Sequence, residues 1–197
     1  MTIFPEELES DRLRYEAATP DTVDPHELYE HVNEDAPNVD EVTEYVTWDP
    51  YEHPKIGLDF LKTCQEQFET GEGANYIIRP KAGDRRGELA GMAGLVPDWD
   101  KQLATMGTWL RKPFWGNGYS GERAATFLEL AFDILDLEMV AVEHDPENER
   151  SERAIQKYVD RFGGQREGRL RNAVVMNDEP RDTVRYTISL EEWSSNR

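Results

Sequence analysis

The stretch Trp109-Leu110-Arg111-Lys112-Pro113-Phe114-Trp115-Gly116-Asn117-Gly118-Tyr119-Ser120 decides how the rest of the chain is interpreted. It is typical of a strand end, a glycine loop and a helix start, because a long amphipathic pattern follows it directly. Such a junction leaves backbone N–H groups unpaired, and the helix dipole adds partial positive charge at the same point. A phosphate group is the natural ligand there. A tight turn without a ligand is the alternative, because Gly116 and Gly118 also suit a sharp bend.

The patterns on either side of this stretch predict an α/β (α+β) fold. Alternating or apolar runs predict strands at residues 12–17, 75–79, 88–96, 104–110, 138–144, 165–170 and 184–190. Helical periodicity predicts helices at residues 25–32, 39–46, 54–69, 119–135 and 151–159. This order suits a mixed, mostly antiparallel sheet of about seven strands with helices on both faces. The length suits a single domain that spans residues 1–197.

The composition is strongly acidic. The chain carries 41 acidic against 22 basic residues, for a net charge of −19. One interpretation is a field that attracts a basic ligand or partner. The other is an acidic, halophile-like surface adapted to high salt, where screening over about 3 Å at 1 M makes self-repulsion tolerable. Either interpretation disfavours nucleic acid as a partner, because the charge has the wrong sign.

Targeting and metal-binding signals are absent from the sequence. No run approaches the roughly 18 apolar residues of a membrane span, and the first residues lack the basic and apolar regions of a signal peptide. Cys64 is the single cysteine, which excludes an internal disulfide and a cysteine-rich metal site. The histidines have no ligand-like spacing. We therefore expect a cytoplasmic protein with no membrane partner and no metal.

A second motif, Asp145-Pro146-Glu147-Asn148-Glu149-Arg150-Ser151, follows one predicted strand after the glycine loop. The two motifs and the order of elements resemble the GNAT superfamily of N-acetyltransferases, and most closely its RimJ/RimL branch of ribosomal-protein N-terminal acetyltransferases. The resemblance covers roughly residues 8–190. It implies the GNAT fold and acetyl-CoA as the cosubstrate. Members of the family often pair, so a homodimer is a further expectation.

The glycine loop matches the family's pyrophosphate-binding pattern. That pattern is Gln or Arg, two residues, Gly, one residue, and Gly or Ala; Trp115, Gly118 and Ser120 occupy the three defined places. Trp115 departs from the general pattern, although tryptophan is familiar in this branch. The resemblance implies that the backbone amides of the loop hold the pyrophosphate of acetyl-CoA. The residues concerned are Gly116, Asn117, Gly118, Tyr119, Ser120 and Gly121.

Further positions carry over from the family motifs. Leu110 and Arg111, at the splayed strand end, would pair with the pantetheine arm, and Asn148 matches the asparagine that contacts it. The tyrosine that many members place near the leaving sulfur is Ile155 here, so that general acid is missing. Ser151 matches the serine that this branch offers to the sulfur of coenzyme A instead. Its alternative role is the N-cap of the following helix.

The implied reaction is attack of an amine on the acetyl thioester. The amine must be neutral and the carbonyl oxygen must be stabilised as it gains charge, which we expect a backbone N–H near Leu110 to do. Glu143 is our candidate base, with His144 as its neighbour and competitor. Strand alternation places the two on opposite faces, so at most one can point into the cleft. The alternative is that both are ordinary strand residues.

The acceptor site is less well defined by the sequence. Trp48 and Tyr51, and also Trp99, are candidate walls for it, with core packing as the alternative. Arg123 is a candidate for the 3′-phosphate of coenzyme A or, alternatively, for a solvated helix face. The sequence thus predicts an acetyl-CoA-dependent N-acetyltransferase, with a protein N-terminal α-amine as the favoured acceptor and a small amine second. The rivals are a non-catalytic acyl-CoA sensor and a plain nucleotide-phosphate binder.

Overall fold

The computed structural model describes residues 2–176 and 178–197. Within them, eight strands form one sheet with the order β1-β2-β3-β4-β5-β6-β8-β7. The strands are β1 Glu7–Glu9, β2 Leu13–Ala17, β3 Ala74–Pro80, β4 Gly91–Asp98, β5 Leu103–Leu110, β6 Met139–His144, β7 Gln165–Met176 and β8 Glu179–Ser189. The helices are α1 Pro25–Val32, α2 Val39–Thr43, α3 Pro54–Thr70, α4 Tyr119–Glu129, α5 Glu149–Arg161 and α6 Leu190–Asn196.

Strand pairing is mostly antiparallel, as predicted. The pairs β1–β2, β2–β3, β6–β8 and β7–β8 are antiparallel, whereas β5 and β6 run parallel. The parallel ladder ends at the pair Met106–Val142. Both strands continue past this point, β5 to Leu110 and β6 to His144. The last residues of each strand therefore lie beyond their shared hydrogen-bonded ladder.

The chain divides into two compact units. The first comprises residues up to Gly94 together with Thr108–Tyr119. In it, α3 packs against α1 and β3 around a core that includes Leu61, Cys64 and Ile77. Proline in the first turn of α3 and Gly71 in the left-handed region at its C-terminal end explain the bounds of that helix.

The second unit comprises Leu95–Gly107 and Ser120–Arg197. In it, α5 and α6 pack against β8. The helix α4 continues as a π-helical turn over Leu130–Ile134, within the single long helix that the apolar periodicity predicts. The single domain that the sequence predicts for residues 1–197 stays a prediction.

The structure differs from the sequence-based prediction mainly at the two ends of the chain. The short edge strand β1 adds an eighth strand to the seven expected. The last two strands are longer than predicted, because β7 continues to Met176 and β8 already begins at Glu179. The end of β8 lies at Ser189, where a further helix, α6, follows. The Ser189 side chain accepts a hydrogen bond from the N–H of Glu192, and the Glu192 side chain accepts one from the N–H of Ser189. Ser189 and Glu192 have the sequence spacing of a capping box, which is a signal for a helix start.

Candidate functional site

The glycine loop between β5 and α4 is open. Gly116 and Gly118 both have φ of +77°, a conformation that favours glycine. A Cβ atom added to Gly116 or to Gly121 would meet no atom within 4 Å. One added to Gly118 would lie 3.6 Å from Nη2 of Arg12. No side chain therefore crowds the positions of Gly116 and Gly121, which leaves room for an anion beside them.

Trp115 ties the start of the loop to the end of β5. Its indole Nε1 donates a hydrogen bond to the carbonyl of Leu110 over 2.7 Å. The N–H of Arg111 donates to the carbonyl of Ala90 over 2.8 Å, and the N–H of Phe114 donates to the carbonyl of Arg111 over 3.0 Å. These backbone groups of Leu110 and Arg111 are thus engaged within the protein. Their contact with pantetheine stays a prediction, and it would have to use other groups or share these.

Three arginines surround two stacked rings next to the loop. The rings of Phe114 and Tyr119 lie 6.4 Å apart at 28°. The guanidinium carbon of Arg12 lies 5.1 Å from the centre of the Tyr119 ring, and those of Arg85 and Arg111 lie 5.7 and 5.5 Å from the centre of the Phe114 ring. We call these five residues the arginine–aromatic cluster. The place of Arg12 beside the loop did not follow from the sequence, because Arg12 precedes the loop by about a hundred residues.

The structure brings Trp48 and Tyr51 together with a third aromatic residue, Trp109. The Trp48 ring lies 6.0 Å from Tyr51 and 5.3 Å from Trp109, both edge-on. All three are half-buried and pack against the core of the first unit. Burial raises the pKa of Tyr51 to about 12. Trp99 belongs to the second unit, where it is 39% exposed.

Asn148, and not Ser151, is the N-cap of α5. The Oδ1 atom of Asn148 accepts a hydrogen bond from the N–H of Ser151 over 3.0 Å. Ser151 therefore sits in the first turn of the helix, and the alternative that its side chain caps the helix is wrong. The hydroxyl of Ser151 is half-buried and does not cap the helix. Its proposed role toward a sulfur atom stays a prediction.

Because Asn148 caps the helix and Ser151 does not, we expect substitutions of the two residues to have different effects on stability and on turnover. We expect Asn148→Ala to lower the free energy of unfolding by about 1 kcal/mol, because it removes a helix cap. We expect Ser151→Ala to change stability by less than about 0.5 kcal/mol and to lower kcat roughly tenfold, as the loss of one hydrogen bond to a developing thiolate would. Urea denaturation and steady-state kinetics of both variants measure this. A destabilised Ser151→Ala variant with unchanged kcat would contradict it.

Glu143, the candidate base, is held by two neighbours on β8. Its Oε1 accepts a hydrogen bond from Nε of Arg185 over 2.8 Å, and its Oε2 accepts one from the hydroxyl of Thr183 over 2.6 Å. The β6–β8 register places Glu143 directly opposite Arg185. Both carboxylate oxygens of Glu143 are therefore engaged in contacts within the second unit. Its catalytic role stays a prediction, made less favourable by these contacts.

His144, the competing base, is buried, with 6% of its surface exposed. Its Nδ1 lies 2.8 Å from the carbonyl oxygen of Asp145, so Nδ1 carries the proton in this contact. Its Nε2 is buried and has no hydrogen-bond partner in the described part of the chain. The ring stacks on Tyr186 at 5.8 Å. The two candidate bases thus have different surroundings, as strand alternation predicts.

Arg123 does not lie on a solvated helix face, which corrects that alternative. Only 2% of its surface is exposed, and its guanidinium lies 5.7 Å from the Phe127 ring and 5.9 Å from the Tyr158 ring. Among the described residues, its Nε and Nη1 atoms and the Tyr158 hydroxyl have no hydrogen-bond partner. Burial raises the pKa of Tyr158, and the guanidinium opposes this rise. Its role toward the 3′-phosphate stays a prediction.

Two further features bear on metals and membranes. Residues 2–176 and 178–197 contain no group of three or more His, Cys, Asp or Glu side chains placed to hold a metal ion. None of the helices in these two ranges combines the length and the apolar character that a membrane span needs.

Comparison with known protein families identifies the fold and its chemistry. Residues 12–158 match the family model described as the acetyltransferase (GNAT) domain. The chain belongs to the GNAT family. It is therefore an N-acetyltransferase that uses acetyl-CoA, as the glycine loop and the Asn148 motif predict. The predictions of the family and of its mixed, mostly antiparallel fold are confirmed.

Three relatives illustrate the similarity. YdaF of Bacillus subtilis (strain 168), provisionally named a ribosomal N-acetyltransferase, is 31% identical over 112 residues, which are 56% of this chain and 59% of YdaF. The chain thus matches less than two thirds of that relative. The crystal structure of an acetyltransferase from T. thermophilus, so assigned provisionally, is 28% identical, with a TM-score of 0.76 over 99% of this chain and 95% of that one.

The third relative is RimL, the ribosomal L7/L12 alpha-N-protein acetyltransferase, solved in complex with coenzyme A. It superposes with a TM-score of 0.79 at 17% identity, over 95% of this chain and 99% of RimL. At this identity the likeness concerns the fold. A GNAT sheet like that of RimL is thus present in this chain.

Proposed function

We propose that this GNAT enzyme transfers the acetyl group of acetyl-CoA to the α-amine of a protein N-terminus. The observation that carries this proposal is the state of Glu143. Its two carboxylate oxygens each accept a hydrogen bond, one from Thr183 and one from Arg185, so Glu143 would have to share these contacts to act as a base for a strongly basic amine. An α-amine has a substantial neutral fraction at physiological pH and therefore depends less on a general base.

The free-energy difference between the acceptors is large. Deprotonating a lysine-like amine with a pKa near 10.4 costs about 4.6 kcal/mol at pH 7, whereas an α-amine with a pKa near 7.8 costs about 1 kcal/mol. The names of YdaF and RimL, which refer to ribosomal and α-N-protein acetylation, agree with an α-amine. The half-buried rings of Trp48 and Tyr51 are the surfaces that we assign to the acceptor's first side chains.

The cofactor contacts follow the family motif. We assign the pyrophosphate of acetyl-CoA to the loop amides of residues 116–121, because the loop is open and precedes a helix N-terminus. We assign Asn148 to the pantetheine arm and the hydroxyl of Ser151 to the leaving sulfur. A backbone N–H near Leu110 would stabilise the carbonyl oxygen.

A pair of matched peptides tests the acceptor. One has a free α-amine with its lysine acetylated, and the other has an acetylated N-terminus with a free lysine; spermidine is a third acceptor. Release of the free thiol of coenzyme A is followed in each case. We expect turnover with the free α-amine only. Turnover confined to the lysine peptide or to spermidine would overturn the proposal, and acetyl-CoA binding without turnover on any amine would indicate a sensor.

The pH dependence of the reaction gives an independent prediction. Because only the neutral amine attacks, kcat/KM should rise tenfold per pH unit below the pKa of the acceptor and level off above it. For an α-amine we expect the plateau from about pH 8, near the usual α-amino pKa. A lysine-type acceptor without a base would keep the rate rising toward about pH 10. Rates measured between pH 6 and pH 10 distinguish the two.

A further inference from the structure

An arginine just before β2 lies beside the glycine loop. Arg12, which immediately precedes β2, donates a hydrogen bond from Nη1 to the carbonyl of Asn117 over 2.9 Å. Its Nη2 lies 3.6 Å from the position of an added Cβ on Gly118, and its guanidinium carbon lies 5.1 Å from the centre of the Tyr119 ring. One side chain thus contacts Asn117 and Tyr119 and lies next to Gly118 between them.

We propose that Arg12 is a phosphate-binding residue of the cofactor site, and this rests on the proposed assignment of the loop to acetyl-CoA. Five N–H donors on one planar group allow a guanidinium to hold a loop carbonyl and an anion at the same time. Arg12 is exposed, so a ligand in the loop can reach it. The ligand class is a phosphate group, supplied by the pyrophosphate or by the 3′-phosphate of coenzyme A.

The distribution of charge also supports a phosphate-binding role for Arg12. The chain carries a net charge of −19, which repels a polyanionic cofactor. Against this background, Arg12, Arg85 and Arg111 gather around the stacked rings next to the loop. Arg85 and Arg111 share one carboxylate, that of Glu88, at 3.1 and 3.8 Å. These guanidinium groups place positive charge beside the open backbone amides, where a phosphate would bind.

Arg14 provides a matched control. It lies two residues farther along the same segment and pairs with Glu16 over 2.6 Å, and 40% of its side chain is exposed. Arg12→Gln and Arg14→Gln therefore remove the same charge from neighbouring positions. We expect Arg12→Gln to weaken acetyl-CoA binding roughly tenfold to a hundredfold, as the loss of a charge-assisted hydrogen bond would. We expect Arg14→Gln to change it less than twofold.

Arg12→Lys distinguishes phosphate binding from loop positioning. Lysine keeps the charge for a phosphate but loses the planar fork that reaches Asn117 and stacks on Tyr119. If Arg12 binds phosphate, Arg12→Lys should recover most of the affinity, and Arg12→Gln should make binding less dependent on salt. If Arg12 only positions the loop, lysine and glutamine should impair binding equally, which would overturn the inference.

Two cofactor analogues complete the experiment, with calorimetry as the readout. Acetyl-3′-dephospho-CoA lacks the 3′-phosphate, and acetyl-pantetheine lacks all phosphates. Arg12→Gln should not change the affinity for acetyl-pantetheine. An unchanged penalty with the dephospho analogue locates the contact at the pyrophosphate, and a lost penalty locates it at the 3′-phosphate. If the wild-type protein binds no acetyl-CoA, the proposed function is wrong. If Arg12→Gln and Arg14→Gln bind acetyl-CoA equally well, only the phosphate-binding role of Arg12 is wrong.

Discussion

Replacement of Gly116 with leucine is expected to weaken acetyl-CoA binding by at least about a hundredfold while the protein still folds. Gly116 has φ of +77°, and an added Cβ would meet no atom within 4 Å. The new side chain therefore has space, and the space is that beside the loop amides that we assign to the pyrophosphate. Displacing a phosphate from several backbone N–H donors costs several hydrogen bonds to a charged group.

Gly87 supplies the control for backbone strain. It also has φ of +77° and no atom within 4 Å of an added Cβ, and it lies in the exposed connection between β3 and β4. Leucine at either position should cost about 1–2 kcal/mol of stability, because both residues are left-handed. Calorimetry with acetyl-CoA and urea denaturation measure the two effects. If Gly116→Leu and Gly87→Leu bind acetyl-CoA alike, the loop does not hold the pyrophosphate.

Replacement of Gly91 with alanine is expected to destabilise the fold by about 3 kcal/mol, because the added methyl group has no room. A Cβ at this position would lie 2.1 Å from the carbonyl oxygen of Trp109 and 2.8 Å from the Cα of Leu110. Both atoms belong to the backbone, so relief requires the end of β5 to move. Affinity for acetyl-CoA should fall as well, because Leu110 precedes the glycine loop and binds Trp115.

Gly107, farther back along β5, is the matched control. An added Cβ there would meet no atom within 4 Å. Gly107→Ala should therefore change the free energy of unfolding by less than about 0.5 kcal/mol. Urea denaturation of both variants gives the comparison. If the two alanine variants were equally stable, the close approach of β4 to the end of β5 would not be a constraint on the fold.

Much of the fold was predictable because its signals are local. The helix α3 begins at a proline and ends at a left-handed glycine, and both residues act within one turn. The glycine loop and the Asn148 motif are likewise short, and they led to the correct family. The edge strand β1 was missed because three residues carry too little pattern. The helix α6 was missed although its capping box was present in the sequence.

The hydrogen-bond partners of the predicted site residues did not follow from the sequence. Asn148 caps α5 in place of Ser151, a choice between two good capping residues that depends on where the chain leaves the turn. Trp115 has the place of a polar residue in the family pattern, and its indole binds the carbonyl of Leu110. Neither contact follows from residue type alone.

The sequence by itself determined the strand–loop–helix junction at residues 109–120 and the acidic charge of the chain, because these depend on neighbouring residues and composition. Only the tertiary structure decided that Glu143 pairs with Arg185 and that Arg12 reaches Asn117. The first contact is set by the β6–β8 register, in which a shift of one residue would separate the charges. The second joins segments about a hundred residues apart, whose approach depends on the packing of the strands between them.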